Sequence, residues 1–449
     1  MVDRTAPPPL LITRLLKPMR EFVDKSALSG IILFVATIAA LIVANVPMLA
    51  ARYNELLESY MSFSIGDFSL LKLSVLHFIN DGLMAIFFLM VGLEIKRELI
   101  AGELSNRRSA MLPLVAAVLG AAIPATIYVT LNWGRAGIDG WGVPMATDIA
   151  FALGCMALLG KRTPFTLKIF LTAVAIVDDL IAVLVIALFY SKGINLTALA
   201  GAAVVLGILA YLNWRRVNWL TIYMILGLIL WWLFLQSGVH ATIAGVLLAL
   251  TIPARYAMDE VSFLSRARNL LDRFEQSPVV EKSSYLINEH HQHVVTALEE
   301  AAEEVQAPLQ KLEHQLHTPV MFGIMPIFAF ANAGVALSLD GMQGDGLWVA
   351  VGIILGLCLG KPLGIFAGAW VAVKAGWAEL PERVTWNHIL GAGFLSGIGF
   401  TMSLFIAALG FGDGSDMAEA AKMGILAASL IAGSIGYFLL WRQAPTKAD

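Results

Sequence analysis

The sequence is short of charge. Only 14% of its 449 residues are Asp, Glu, Lys or Arg, against about 25% in an ordinary soluble domain. Apolar side chains make up 58%, and mean hydropathy is +0.77. One or two soluble cores cannot hide that much apolar surface, which excludes an ordinary soluble enzyme and a disordered chain. The net charge of −3 leaves no basic field for a nucleic-acid partner. Cysteine is scarce as well. Cys155 and Cys358, each inside an apolar run, allow neither a disulfide framework nor a metal cluster and read as small core residues. What the chain has in quantity is long apolar sequence, and it reads as an all-α integral membrane protein.

A helix needs ~20 mostly apolar residues to cross a bilayer. Twelve stretches qualify: 28–49, 76–94, 110–131, 142–160, 165–190, 196–212, 218–235, 238–253, 318–339, 347–374, 388–410 and 420–441. The fourth and eighth are short, and the seventh and eighth separate only at Gln236–Gly238. Lys and Arg prefer the cytoplasmic side of a membrane. With the N-terminus inside, the inside segments hold 23 of them. The outside segments hold five (Arg52, Lys72, Arg135, Lys192, Lys422), and Lys168 and Lys361 fall within spans. So uneven a split in strict alternation supports the span count and puts both termini in the cytoplasm. The expected organisation is a cytoplasmic segment 1–27, spans one to eight over 28–253, a long cytoplasmic loop 254–317, spans nine to twelve over 318–441 and a cytoplasmic tail 442–449. The first 27 residues are basic and broken by Pro7, Pro8, Pro9 and Pro18, without the compact apolar core of a signal peptide. Leu10 to Val23 suits an interfacial amphipathic helix.

Two loops carry a pattern. Residues 61–70 alternate apolar and polar around Gly66-Asp67, a hairpin signal in an outside loop. Such a hairpin either packs on the bundle or meets a second copy. The 254–317 loop is charged and contains His290, His291 and His293. A metal site is conceivable there, but Glu299, Glu300, Glu303 and Glu304 lie at helical spacing beside Val295 and Leu298, which favours a solvated helical insert.

The informative residues are ionisable groups deep in apolar spans, where an Asp or Lys costs ~2.5–3.5 kcal/mol on insertion scales. Asp178 and Asp179 sit together at the middle of span five. Successive helix residues diverge by ~100°, so both carboxylates can line one cavity. Burial penalises their charge and each repels the other. A cation or a proton relieves that repulsion, and one position cannot hold both. A purely structural pair, satisfied by a cation elsewhere, is the bland alternative. Span four carries Thr147 and Asp148 just after Gly142 and Pro144, which invite a break or a late helix start. Hydroxyl, carboxylate and freed carbonyl oxygens suit a hard cation such as Na⁺; alternatively Asp148 is a helix cap. Lys361 is central in span ten, too deep for easy snorkelling, with Asp178 or Asp148 as its obvious partner. Around it Gly352, Gly356, Gly360, Gly364 and Gly368 recur every four residues, a smooth stripe for close packing. Pro362 frees a carbonyl one turn earlier. Span eleven holds Gly391, Gly393, Gly397 and Gly399 with Ser396, Thr401 and Ser403 interleaved, a weak helix whose unwinding is tolerated only beside a cavity. Glu94, Lys96, Arg97 and Glu98 close span two and can simply pair along the helix. Asn80-Asp81 lies near the outer interface of the same span, and His240 opens span eight, where an imidazole can respond to pH or merely be hydrogen-bonded.

At these residues the chain resembles the NhaA-type sodium/proton antiporters. The matching stretches are 79–88, 91–98, 146–154, 177–180, 238–242, 328–335, 360–364 and 397–406, in order across nearly the whole chain. The resemblance implies twelve helices in an inverted-repeat transporter architecture, with spans four and eleven discontinuous. It implies that Asp178 and Asp179 bind cation and proton, with Thr147 contributing to the Na⁺ site. Thr147 and Asp148 would lie at the crossing of the broken spans, and Lys361 would pair with Asp178. Glu94, Arg97, Glu98, Glu313 and His314 would form a cytoplasmic pH-response region, to which His240 is added as a candidate. It further implies a homodimer joined through the 61–70 hairpin, a place in the bacterial inner membrane, and no cofactor, the ions being substrates. The segment before Lys311 looks longer than the family's usual short connection.

The expected activity is electrogenic export of Na⁺ (or Li⁺) for a larger number of protons, active at alkaline pH and serving sodium and pH homeostasis. The membrane potential would then assist at ~2.3 kcal/mol per net charge per 100 mV. One rival is a proton-coupled symporter or channel, although no pocket for an organic substrate announces itself. Another is an intramembrane aspartyl protease, since Gly410-Phe-Gly-Asp413 fits a GxGD pattern. That motif sits at the wrong depth, and the chain has no Tyr-Asp partner.

Overall fold

A backbone in lipid must satisfy its own N–H and C=O groups, so apolar runs fold as helices. The computed structural model describes residues 11–65, 68–191, 193–256, 258–276, 289–336, 343–412 and 414–443. Among them the secondary structure is helical apart from one antiparallel hairpin. Eight of these helices are long and apolar enough to cross a membrane, and two bent pairs would each add a span. Leu188, Trp214, Trp219 and Leu430 are exposed on the outside of the bundle, as a lipid solvent requires.

The first helix, α1 (Leu11–Asn45), runs unbroken through Pro18, so the segment expected as a separate interfacial helix continues into span one. After α2 (Pro47–Glu58) come β1 (Tyr60–Ile65) and β2 (Phe68–Ser74), paired with Tyr60 opposite Ser74. The expected tip, Gly66-Asp67, lies outside the described residues. The next helix, α3 (Val75–Ala101), extends past the expected end of span two and contains a widened π turn, Phe78–Leu83, over Asn80 and Asp81. It is followed by α4 (Arg107–Asn132).

Span four does not form as one helix. A 3₁₀ segment, Ala136–Met145, starts six residues earlier than the expected span and contains Pro144. Residues 146–148 are extended, and α5 (Ile149–Leu158) then leaves at 44°. The uninterrupted α6 (Phe165–Phe189) follows, with α7 (Leu196–Trp214), α8 (Leu220–Ser237) and α9 (Ile243–Thr251). The chain turns between α8 and α9 at Gly238, whose φ of 78° is the left-handed region that glycine tolerates.

The 254–307 insert forms a helical pair, α10 (Glu260–Gln276) and α11 (Glu289–Val305). Arg266 pairs with Glu304 at 2.9 Å, and the rings of Phe274 and His291 lie 4.4 Å apart. It leads into α12 (Pro308–Pro319), a π turn at Val320–Ile324 and α13 (Met325–Asn332). Then α14 (Asp345–Lys374) widens into a π turn at Gly356–Gly360, directly before Lys361. Its glycine stripe lies on α4: a Cβ at Gly364 would stand 2.4 Å from the Leu119 carbonyl oxygen, and one at Gly368 2.5 Å from that of Val115. A second bent pair, α15 (Trp386–Ser396) and α16 (Phe400–Phe411), turns by 45°. A Cβ at Gly397 in that break would meet the Leu357 carbonyl at 2.4 Å. Finally α17 (Asp416–Trp441) closes the bundle.

Candidate functional site

The two breaks cross each other beside the middle of α6. The Asp148 N–H donates to the Ile398 carbonyl at 2.7 Å, and the Ser403 hydroxyl to the Val143 carbonyl at 2.8 Å. Four helix ends therefore meet in the interior, where orphaned N–H and C=O groups are costly.

Asp148 compensates the N–H ends, and Lys361 and Thr147 compensate the carbonyl ends. Asp148 caps both N-termini. Its Oδ1 accepts from the Phe151 N–H at 3.1 Å, and its Oδ2 accepts from the Thr401 N–H at 3.1 Å and from the Thr401 hydroxyl. At the carbonyl ends Lys361 Nζ lies 2.5 Å from the Met145 oxygen, and Thr147 Oγ1 lies 2.9 Å from the Ser396 oxygen.

The same two groups hold Asp178. Lys361 Nζ stands 2.6 Å from Asp178 Oδ2 and Thr147 Oγ1 stands 2.8 Å from it. A hydroxyl has one proton to donate, so Thr147 serves Asp178 or Ser396 but not both fully. Asp178 Oδ1 and Asp179 Oδ1, both buried, have no hydrogen-bond partner among the described residues. Buried polar atoms normally have one, and two adjacent orphaned carboxylate oxygens mark a place able to take a proton or a hard cation. Both Asp148 oxygens accept from helix-end donors, as the helix-cap reading of this residue expects. No group of three His, Cys, Asp or Glu side chains suited to a metal converges among the described residues.

A cavity of about 730 Å³ leads toward this crossing from the side where α3 ends. The half-exposed Arg97 and the exposed His314 line its open end, and Glu94, Glu313, Ile149 and Ile176 line its walls. Ile149 follows Asp148, and Ile176 is one helical turn before Asp179. At the mouth the Arg97 guanidinium bridges Glu98, at 3.2 Å, and Glu313. Burial pushes the Glu313 carboxyl above its ordinary range, against the pull of Arg97. His314 is exposed beside it and lines the same cavity. Lys96 turns away and donates to the Leu250 carbonyl at 2.8 Å and to that of Ile252, closing the end of α9. His240 lies apart from this group, with Nε2 2.9 Å from the Tyr190 carbonyl. The structure therefore brings together Asp178, Asp179, Thr147 and Lys361, sets Asp148 on the adjacent wall, and gathers Glu94, Arg97, Glu98, Glu313 and His314 at the cavity mouth.

Sequence reasoning gave Thr401 no specific partner, and it missed the carbonyls of Met145 and Ser396. The signal was present in part, since Thr401 follows the Gly397–Gly399 break by two residues. It also missed the buried Asn332, whose amide donates to Asn80 Oδ1 at 2.9 Å.

Comparison with known proteins adds an independent result. A family model described as Na+/H+ antiporter 1 matches residues 20–440. A Na(+)/H(+) antiporter NhaA of Oleidesulfovibrio alaskensis is 48% identical over 439 residues, 98% of this chain and 96% of that protein. One of Koribacter versatilis is 48% identical over 442 residues, 98% of this chain and 95% of its own length. One of Bacteroides fragilis is 43% identical over 439 residues, with 96% and 99% covered.

Proposed function

The chain belongs to the Na+/H+ antiporter 1 family, whose members are membrane transporters and not enzymes, and from that premise we propose an electrogenic exchanger that exports Na⁺ or Li⁺ for a larger number of protons. The family needs no cofactor; sodium and protons are substrates. The observation that carries this reading is the pair of orphaned oxygens, Asp178 Oδ1 and Asp179 Oδ1, next to the crossed helix breaks. Two carboxylates there hold a sodium ion or protons in turn, with Thr147 adding a hydroxyl oxygen. When protons occupy the site, Na⁺ is displaced. When they leave, two negative charges side by side favour a cation. Lys361 holds Asp178 until the cation competes for it, which makes the ammonium part of the exchange. The crossing rearranges to open the pair alternately to each face, the 730 Å³ cavity being the route on one side.

The cluster at the cavity mouth sets the pH response. Glu94, Arg97, Glu98, Glu313 and His314 exchange protons with the cytoplasm, and antiport turns on as the pH becomes alkaline. His240, which ties α9 to the end of α6, contributes from the other side. Twelve spans with an inverted repeat put both termini in the cytoplasm of a bacterial inner membrane. The two bent pairs and the 23-to-5 distribution of basic residues support that topology. Two copies join through the β1–β2 hairpin, because an isolated two-stranded ribbon is marginal in water and leaves unpaired edges.

Reconstitution in vesicles with an imposed proton gradient tests the reading. Addition of Na⁺ or Li⁺, and not K⁺, should dissipate the gradient, more strongly at alkaline pH. The rate should rise when a membrane potential is applied. Co-movement of Na⁺ and H⁺ in one direction would make the protein a symporter instead.

A further inference from the structure

Away from the crossing, a groove of about 570 Å³ opens on the outer face of the bundle between α1, α5 and α17. Its walls are apolar, with Ile31, Phe34, Leu158 and Leu430 exposed in it. Its floor is Ile398 and Phe400, the two residues that flank Gly399 in the break between α15 and α16. Both hold the crossing together. The Ile398 carbonyl accepts from Asp148, and the Phe400 N–H donates to Ser429 Oγ at 3.3 Å. Whatever fills the groove packs directly against one wall of the ion site.

Two arginines stand beyond the groove lining, next to its aromatic end where α5 and α17 finish. Arg162 lies over the Trp441 ring at 5.0 Å and donates to the Trp441 carbonyl at 2.6 Å. Arg442 lies over the Phe438 ring at 5.4 Å, and the Phe438 and Trp441 rings stack at 6.3 Å. Phe438 itself lines the groove. Aromatic rings thus hold one guanidinium group on Phe438, a lining residue, and a second on the Trp441 ring stacked beside it. A guanidinium has five donors in a planar fork that matches phosphate, and Arg162 uses one of them on a carbonyl. A hydrocarbon chain alone would leave those donors unused, and a headgroup with its own cation would bring positive charge to positive charge.

We propose that the groove binds one acyl chain of an anionic phospholipid, with the phosphate held by Arg162 and Arg442, and that the bound chain steadies the helix break at Ile398–Phe400. The lipid then acts as a structural effector of ion exchange, seated on the crossing rather than in the transport route. Nothing in the ion chemistry of the carboxylate pair requires this site, so it stands or falls separately.

The purified full chain in mild detergent, titrated with dioleoylphosphatidylglycerol or dioleoylphosphatidylcholine and read by native mass spectrometry, tests it. Wild type should retain the anionic lipid with roughly tenfold or greater preference, as two basic contacts at a membrane surface supply. The Arg162→Gln/Arg442→Gln pair should lose that preference. Ser434→Trp, which places an indole in the groove, should lose the retained lipid altogether. In phosphatidylcholine vesicles, added phosphatidylglycerol should raise the exchange rate of wild type and not that of the glutamine pair. Equal retention of the two lipids by wild type, or undiminished retention of the anionic lipid in Ser434→Trp, overturns the proposal. If Ser434→Trp does not fold, the glutamine pair decides, and an unchanged preference there is equally fatal.

Discussion

Lys361 Nζ stands 2.6 Å from Asp178 Oδ2 across 183 positions of sequence, with both side chains fully buried. An ion pair so placed is held by its neighbours as much as by its own attraction, because desolvation opposes it. The Met145 carbonyl and the Thr147 hydroxyl supply the neighbours. Removing the ammonium alone leaves a buried carboxylate uncompensated, at a cost of about 3–5 kcal/mol. Lys361→Met should therefore lower the thermal unfolding temperature markedly, and adding Asp178→Asn should recover part of the loss. If the two losses simply add, the residues are not coupled in the way their distance implies.

Asp179 is the contrasting member of the pair. Its Oδ1 has no hydrogen-bond partner among the described residues, so a neutral amide of the same shape removes repulsion without breaking a bond. Asp179→Asn should unfold at or above the wild-type temperature. Its Na⁺-dependent proton flux should fall at least about hundredfold, the counterpart of losing ~3 kcal/mol from a charged ligand. Normal flux in this variant would remove the carboxylate pair from the mechanism.

Asp148 should behave differently from both. It caps α5 and α16 at once. A lost cap costs ~1 kcal/mol, and two share this one side chain. Asp148→Ala should destabilise by roughly 2 kcal/mol, whereas Asp148→Asn, which keeps one acceptor oxygen and turns an amide donor toward the other helix end, should lose one cap, about 1 kcal/mol. Comparing their unfolding with their apparent affinity for Na⁺ separates capping from ion binding: a cap alone changes stability first and affinity through the crossing only.

The charged groups were legible because charge in an apolar run has few inexpensive explanations. Asp178, Asp179 and Lys361 stand out on cost alone, and Gly397 and Gly399 flag a weak helix. Carbonyls carry no sequence signal, so the oxygens of Met145 and Ser396, which bind Lys361 and Thr147, were invisible. Thr401 was seen as a hydroxyl but not as a donor to Asp148, since most hydroxyls in membrane helices bond back to their own turn. The 3₁₀ segment Ala136–Met145 begins earlier than expected because a run with Gly137, Gly140 and Gly142 has weak helical periodicity. The π turns at Phe78–Leu83 and Gly356–Gly360 depend on tertiary packing rather than on local composition.

At the cavity mouth the pH dependence has a definite sign. Burial raises the folded-state pKa of Glu313 above the ordinary 4.5. A carboxyl shifted that way binds its proton more tightly when folded. It favours the folded state at low pH, and that contribution declines as pH rises from 4.5 through the raised value. Glu313→Gln should flatten this part of the curve of melting temperature against pH. The amide also imitates the protonated, acid-side form beside Arg97. Antiport should then turn on at a more alkaline pH, by roughly one unit, as ~1.4 kcal/mol of lost coupling would produce. An unmoved pH profile would exclude Glu313 from the response.

The hairpin offers a test of assembly that leaves the ion site untouched. Among the described residues Tyr60–Ile65 and Phe68–Ser74 pair only with each other, and Lys72 is placed over the Tyr60 ring at 5.5 Å. A ribbon of this kind gains most by pairing an edge with a second copy. Replacing residues 61–73 with a flexible Gly-Ser segment should convert a dimer to a monomer in light scattering of the detergent-solubilised protein. Na⁺/H⁺ exchange per chain should persist, because the crossing, the cavity and the carboxylate pair all lie within one chain. Retained dimers would move the interface elsewhere on the bundle. Loss of exchange in a folded monomer would mean that the two copies work as one unit.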